Sequence, residues 1–209
     1  MCSSDLAGWF RNLGRGESTG TKIYSLSGKV SRPGNYELPL GISARELIVD
    51  IAGGTPSGEL PKAFTLGGIS GGLLGRELLD LSLDFQAPQQ EGFSLGSGGS
   101  VVLDDRCCVV DFVRSCLLFF EAESCGKCFP CRIGTVRLRE FLDGLTGRSR
   151  LYSNAELQAQ EIGEVMATVS ACGLGRGVPL LINGMIRYFE EEFKEHLHGR
   201  ICRTKVCHL

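Results

Sequence analysis

Four of the ten cysteines stand at a spacing typical of metal ligands. Three of them form a C-x2-C-x2-C run, Cys125-Gly126-Lys127-Cys128-Phe129-Pro130-Cys131, and Cys172 follows far downstream. Three thiolates two residues apart can bind three corners of an iron–sulfur cube, and one distant cysteine can bind the fourth. The sequence therefore predicts a 4Fe-4S site with Cys125, Cys128, Cys131 and Cys172 as its ligands.

Two other kinds of chemistry also use closely spaced thiols. Structural zinc usually takes two separated pairs of ligands, because three ligands from one short loop serve a single tetrahedral ion poorly. Thiol–disulfide exchange uses one C-x-x-C pair, but no thioredoxin-like βαβ pattern surrounds this one. A zinc-stapled structural or interaction module therefore stays as the alternative hypothesis.

The remaining cysteines have less specific surroundings. Cys107, Cys108 and Cys116 lie at a strand end and on an apolar helix face, where a free cysteine is usually a small buried hydrophobe. Cys2 belongs to the start CSSDL, which resembles translated adapter sequence, and we assign it no role.

Two cysteines near the end of the sequence form a separate C-x4-C pair, Cys202 and Cys207. Three histidines lie close by in the sequence: His196, His198 and His208. Cysteine and histidine together are the usual ligands of zinc. The pair is therefore a candidate second metal site.

Composition excludes several classes of protein. A hydrophobic content of 43% over 209 residues can bury a core, which excludes a disordered chain. The net charge is −2 and the basic residues are scattered, which argues against nucleic acid or an anionic membrane as a partner. No secretory leader and no apolar run long enough to span a membrane is present, so we expect a soluble, cytoplasmic protein.

The first half of the chain has the pattern of a small α+β domain. Residues 1–20 are glycine-rich and polar and are interpreted as a linker or a truncated start. Two strands follow, Lys22 to Val30 and one that begins at Tyr36, and Ser43 with Glu46 forms a capping box that opens a short helix. Short apolar runs between glycine clusters complete the pattern over residues 21–105, which is typical of a β-grasp domain.

The second half is predicted to be helical. Amphipathic segments over residues 106–200 predict a four-helix bundle, with residues 201–209 as a tail. A second capping box at Ser153 and Glu156 should open a helix that buries one set of apolar side chains, Leu157, Val165, Met166 and Val169. Pro179 is expected in the first turn of the last helix.

The cysteine run resembles a specific family signature. Glu123-Ser124-Cys125-Gly126-Lys127-Cys128-Phe129-Pro130-Cys131-Arg132 is similar to the E-S-C-G-x-C-x-P-C-R motif of the NADH-binding flavoprotein subunit of respiratory complex I. Soluble relatives of that subunit are the beta subunits of NAD-dependent formate dehydrogenases and flavin-based hydrogenases. Cys172-Gly173-Leu174-Gly175 resembles the segment with the family's fourth ligand. Upstream, Ser27-Gly28-Lys29-Val30 and the turn that follows resemble the family's soluble-ligand-binding β-grasp (SLBB) domain.

The resemblance implies an electron-transfer module. Its 4Fe-4S cluster would accept electrons from FMN in an NADH dehydrogenase-type oxidoreductase and pass them to other iron–sulfur subunits of the complex. In the family, FMN and NAD(H) bind an N-terminal domain that precedes the SLBB domain. The glycine clusters at 67–72 and 96–99 match neither a dinucleotide-binding loop nor a P-loop and are interpreted as turns. We therefore expect the FMN/NADH domain to be missing from this chain and the chain alone to be inactive toward NADH.

Three basic residues near the motif are candidates for tuning the cluster, since nearby cations favour its more negative, reduced state. They are Lys127, Arg132 and Arg137, of which Lys127 and Arg137 equally fit solvated surface charges. Gly126 and Pro130 are expected to shape the loop.

Overall fold

The chain divides after Asp104 into two units, each with its own buried apolar side chains. The computed structural model describes residues 4–209. The interpretation of Cys2 therefore lies outside the described residues.

Five short strands form one mixed sheet in the first unit, in the order β2-β1-β5-β3-β4. They are β1 Thr21–Gly28, β2 Gly34–Pro39, β3 Ala63–Thr65, β4 Leu73–Gly75 and β5 Gly99–Leu103. The predicted hairpin is confirmed, because β1 and β2 pair antiparallel with Thr21 opposite Pro39. Strands β1 and β5 pair parallel at the centre of the sheet. The alternation in β1 places Tyr24 and Leu26 in the core.

The predicted capping box of the first unit is present. Glu46 N–H donates to Ser43 Oγ at 3.1 Å, and Ser43 N–H donates to Glu46 Oε2 at 2.9 Å. The helix that it opens is a π-helical segment, Glu46–Ile51, and it buries Leu47 and Ile48. Gly53 and Gly54 follow with φ of 79° and 66°, a conformation that glycine adopts without strain.

The expectation of a linker over residues 1–20 is wrong for the described part of that segment. Ser4–Arg11 forms helix α1, and the segment that follows is hydrogen-bonded to the end of β2. Arg15 N–H donates to Leu40 O at 2.8 Å, and the Arg15 guanidinium makes a bidentate pair with Glu46. Glycine and polar composition therefore marked a series of turns held by specific hydrogen bonds.

The second unit is helical, as predicted. After the short α2 Gln86–Gln90 of the first unit come α3 Val109–Glu123, α4 Phe129–Leu145, α5 Ala155–Val169, α6 Gly173–Tyr188 and α7 Glu190–Lys194. A π-helical turn, Glu195–Gly199, follows α7. Helix α3 packs on α4 and α6, and α5 packs on α4 and α6. Their shared core includes Leu117, Leu138, Leu142, Leu181 and Met185, each fully buried.

Two expectations for these helices are wrong. Helix α5 is not opened by a capping box, because its first residue follows Asn154, whose φ is 68° and whose side chain makes no capping hydrogen bond. Of its four predicted core residues only Met166 is buried, whereas Leu157, Val165 and Val169 are more than half exposed. Pro179 lies inside α6, because that helix already begins at Gly173.

Candidate metal centres

The four motif cysteines lie at the starts of two helices. Cys125 is on the loop 124–128, Cys128 is the residue that caps the N-terminus of α4, and Cys131 is in the first turn of α4. Cys172 caps the N-terminus of α6. Cys131 is buried, Cys128 is partly exposed, and Cys125 and Cys172 are exposed.

Direct contacts join these two helix starts. The Ala171 backbone N–H donates to the Cys128 thiol, and this bond is the largest of the causes that lower the pKa of Cys128. Gly175 of α6 lies against Cys131, since a Cβ atom at Gly175 would be 2.9 Å from Cys131 Cβ. The structure therefore brings Cys128, Cys131 and the segment around Cys172 to one place, with Cys125 on the adjoining loop.

The surroundings of these thiols fit an iron–sulfur cluster. Backbone N–H groups of Ala171 and Cys131 point at the Cys128 sulfur. Ser170 Oγ is buried and has no hydrogen-bond partner in the part of the chain that the structure describes. Its hydroxyl lies beside Cys131, because both side chains contact the position of Gly175. A bound cluster would supply sulfur acceptors for such donors, and hydrogen bonds to the sulfurs stabilise the reduced state.

Helix orientation adds to this fit. The N-termini of α4 and α6 both end at motif cysteines, and an N-terminus carries a partial positive charge. That charge stabilises thiolates and any anionic group that they bind. The structure thus provides an electropositive setting that does not depend on side-chain cations.

The motif thiols do not converge on a point of the size of one ion. Four ligands of one zinc lie within about 4 Å of one another, because a tetrahedral site has Zn–S bonds of about 2.3 Å. Over residues 4–209 one group of cysteine, histidine and carboxylate ligand atoms meets a 4.8 Å limit, and it contains none of the motif cysteines. Cluster ligands bind different irons and can be further apart.

The basic candidates differ in placement. Lys127 and Arg132 are exposed, and Arg132 Cδ is 3.7 Å from where a Cβ of Gly126 would be, so it lies against the motif loop. Arg137 instead pairs with Glu140 at 2.8 Å on the surface of α4. A cation that the sequence prediction missed is Arg176, whose Nε donates to Ser170 O at 2.8 Å next to the Cys172 loop.

A second group of ligands lies elsewhere in the same unit. Its ligand atoms, from Cys108, His196, Cys202 and Cys207, are all within 4.8 Å of one another. Cys108 Sγ is 3.3 Å from His196 Nε2 and 3.7 Å from Cys207 Sγ, and Cys207 Sγ is 3.5 Å from His196 Nε2. Cys108 and His196 are buried, at 3% and 0% exposure.

The thiols of this group differ in acidity. Burial raises the pKa of Cys202, but hydrogen bonds from Thr204 and from the backbone and side chain of Cys207 outweigh burial and bring the pKa down to about 6. Burial raises the pKa of Cys207 to about 12 and also raises that of Cys108. One thiol of the group therefore ionises readily, while the other two retain their protons.

The sequence prediction for this region was incomplete. Cys108 is buried, as expected for a small hydrophobe, but its thiol faces a histidine and a second cysteine. Cys116 is buried, and burial raises its pKa to about 12. Cys107 is only partly buried. Of the three candidate histidines, His196 joins the group, whereas His198 and His208 are exposed and outside it.

From Ser4 onward, no helix combines the length and the apolar character needed to cross a bilayer.

Known proteins resemble both the motif region and the fold. The NADH-ubiquinone oxidoreductase-F iron-sulfur binding region matches residues 111–196. A NAD+-reducing [NiFe]-hydrogenase, in its H2-reduced state, matches the fold with a TM-score of 0.78 and 29% sequence identity. That match covers 91% of this chain and 32% of the hydrogenase chain.

Curated relatives match over nearly the whole chain. The NADP-reducing hydrogenase subunit HndC of Solidesulfovibrio fructosivorans is 38% identical over 96% of this chain and 41% of the relative. The NADH-quinone oxidoreductase F protein of Mycobacterium tuberculosis is 41% identical over 93% of this chain and 43% of the relative. The chain thus spans about two fifths of the length of these relatives. Residues 111–196, which carry the four motif cysteines, belong to the family of NADH-ubiquinone oxidoreductase-F iron-sulfur binding regions.

Proposed function

We propose that this chain is an electron-transfer module of an NAD(H)-dependent oxidoreductase, with Cys125, Cys128, Cys131 and Cys172 as ligands of a 4Fe-4S cluster. The observation that carries the proposal is the meeting of the C-x2-C-x2-C helix start with the Cys172 helix start, through Ala171 N–H and Gly175. When bound, the cluster accepts and donates one electron at a time.

The protein residues have three tasks in this proposal. The thiolates hold the cluster, and the N-termini of α4 and α6 offset its negative charge. Donors around it, the Ala171 N–H and the Ser170 hydroxyl, favour the reduced form. Gly175 lets α6 approach Cys131, since any larger residue would fill that space. Lys127, Arg132 and Arg176 add positive charge at the rim.

The parent protein is proposed from the relatives. Electrons would come from reduced FMN, itself reduced by NADH, in a domain outside this chain, because the chain spans only part of proteins named for NADH-quinone oxidoreductase and NADP-reducing hydrogenase. Other iron–sulfur subunits of the complex would receive them. The location would be cytoplasmic, with any membrane attachment made through other subunits.

The two units also receive finer fold assignments in this proposal. The first unit would be an SLBB β-grasp domain, supported by its mixed five-stranded sheet around a central parallel pair. Helices α3 to α6 would be the four-helix bundle that binds the cluster, supported by the placement of the motif cysteines at the starts of α4 and α6.

The test is the metal content of the full chain after anaerobic purification and reconstitution. We expect a brown protein with about four iron and four sulfide per chain and a paramagnetic signal on reduction with dithionite. Cys128→Ser should lose the signal, whereas the buried Cys116→Ser, a matched control, should keep it. A colourless protein whose motif cysteines bind zinc would instead support the zinc-stapled module.

A further inference from the structure

We propose that Cys108, His196, Cys202 and Cys207 form a second metal site, a tetrahedral Cys3His site for one structural zinc ion, separate from the iron–sulfur motif. The sequence suggested only the Cys202/Cys207 pair. The structure supplies the other two ligands, one from the start of α3 and one from the turn Glu195–Gly199.

The distances match a tetrahedron around a zinc ion. Bonds of about 2.3 Å to sulfur and about 2.0 Å to nitrogen place neighbouring ligands about 3.8 Å apart for two sulfurs and about 3.5 Å apart for sulfur and nitrogen. The Cys108–Cys207 sulfur distance is 3.7 Å. The two distances from sulfur to His196 Nε2 are 3.3 and 3.5 Å. Ligand atoms at these separations leave a central point at bonding distance from all of them.

The histidine is oriented for this role. His196 Nδ1 lies 2.7 Å from Glu192 O, which requires the proton to be on Nδ1 and leaves the Nε2 lone pair directed at the thiols. A backbone carbonyl bound to the far nitrogen is the usual support of a zinc-ligating histidine. Glu192 is held in turn, since its Oε1 accepts from Val109 N–H at 2.9 Å, next to Cys108.

The cysteines have the hydrogen bonds that zinc thiolates typically accept. Asp111 N–H donates to Cys108 Sγ at 3.5 Å. The Cys202 sulfur is bonded by the Cys207 backbone N–H and lies 3.3 Å from Thr204 Oγ1. Between the two cysteines, Lys205 adopts a φ of 57° and donates its N–H to Cys202 O. A left-handed lysine is strained and persists where surrounding contacts fix the turn.

Zinc fits this donor set better than other common ions. Three thiolates and one imidazole are soft or borderline ligands, which favour zinc over calcium or magnesium. Four ligands close the tetrahedron and leave no open position, which is typical of a structural site. The ion would tie the segment 201–209 to the starts of α3 and the Glu195–Gly199 turn.

The test uses the full chain and measures zinc and iron together. We expect about one zinc per chain in addition to the iron, with zinc below about a tenth per chain in Cys108→Ser and unchanged zinc in Cys116→Ser. Both serine variants replace a buried cysteine of α3 or its cap. Iron content should be the same in all three proteins, which separates this site from the proposed cluster. Wild-type protein without zinc, or with iron at this site, would overturn the assignment.

A second measurement does not depend on a folded variant. Cobalt(II) added to zinc-depleted wild-type protein should give the intense thiolate-to-cobalt absorption of a tetrahedral site, and added zinc should remove it. Alkylation followed by mass spectrometry should label Cys202 and Cys207 only after chelation, with Cys116 unlabelled in both states. Absence of cobalt absorption, or labelling that does not depend on chelation, would contradict the proposal.

Discussion

Gly175 is the residue at which the two motif helices come closest. A Cβ at this position would lie 2.7 Å from Ser170 Cβ and 2.9 Å from Cys131 Cβ, closer than van der Waals contact allows. One of the two helix starts would therefore have to move. The glycine sets the distance between the proposed cluster ligands Cys131 and Cys172.

We predict that Gly175→Ala reduces cluster occupancy and destabilises the protein by about 1–3 kcal/mol, the usual cost of overpacking a core. Gly173→Ala is the matched control, since it lies in the same helix and an added Cβ meets nothing within 4 Å. Iron analysis and thermal unfolding of both variants measure the effect. Equal iron content and stability in the two variants would contradict the role of Gly175.

Residue types indicated the motif ligands but not the second metal group. The C-x2-C-x2-C spacing is local, so the sequence alone shows that three thiols share a helix start. Cys108 and Cys207 are 99 residues apart, and only the packing of α3 beside the segment after α7 brings them together. For an apolar segment without a nearby partner, burial as a hydrophobe was the natural expectation for Cys108.

At the scale of elements, a charged network joins α3 to α4. Asp143 is 8% exposed and accepts hydrogen bonds from Arg114 and Arg139, and Arg139 Nε also donates to Glu121 at 2.5 Å. Two guanidinium groups depend on one carboxylate in this network. Removal of the carboxylate would leave both cations poorly paired in a mostly buried place.

We predict that Asp143→Ala lowers the free energy of unfolding by about 2–4 kcal/mol, because breaking a buried ion pair leaves uncompensated charge. Glu140→Ala removes the exposed pair with Arg137 on the same helix and should cost less than about 1 kcal/mol. Chemical denaturation of both variants gives the comparison. Similar losses in the two variants would show that burial of the network adds nothing.

Arg15 and Glu46 connect the segment after α1 to the capping box. The hydrogen bond from Arg15, followed by that from the Ser43 backbone, lowers the pKa of Glu46 below its usual 4.5. A lowered pKa stabilises the fold at pH values above the usual one, and this contribution is lost as the pH falls through the lowered value.

We predict that an NMR titration finds the Glu46 pKa below 4.5 in the wild type and closer to that value in Arg15→Ala. Arg11→Ala, which changes a nearby arginine on α1, should leave the Glu46 pKa unchanged. An unshifted Glu46 in the wild type would mean that the segment 12–20 does not hold its place in solution.

Element prediction from the sequence succeeded where one local signal decided the structure. The Ser43 and Glu46 capping box forms, because both hydrogen bonds are made within four residues. The face of α5 was wrong, because apolar residues occur on several sides of this helix and only contacts with α4 and α6 select Met166. Pro179 was misplaced for a related reason. The residue four positions before it is Gly175, and α6 begins a further two residues earlier.

At the scale of the whole molecule, the second unit exposes apolar side chains beside the motif. Phe129 is 66% exposed and Val165 is 51% exposed, and both line one groove with Ile133 between α4 and α5. Contiguous exposed apolar surface of this kind is uncommon on isolated proteins. It explains why the buried face of α5 could not be recognised from hydrophobicity.

We predict that the double variant Phe129→Ser, Val165→Ser binds less of an apolar fluorescent dye than the wild type and unfolds within about 1 kcal/mol of it, since exposed side chains contribute little to stability. Leu6→Ser, with a similarly exposed residue on α1, is the control. Dye fluorescence equal to that of the wild type would show that the groove is not an accessible apolar surface.

The separation of Cys108 from Cys207 has a consequence for biosynthesis. A ribosome completes α3 long before it reaches residue 207, so the two sulfurs cannot meet until almost all of this sequence has been made. A metal ion that joins them would close a loop of nearly a hundred residues, and cross-links of long loops restrict the unfolded chain most. Zinc supply during translation would then act as a late quality check: chains that end before residue 207 would lack the clamp and be the first exposed to proteases.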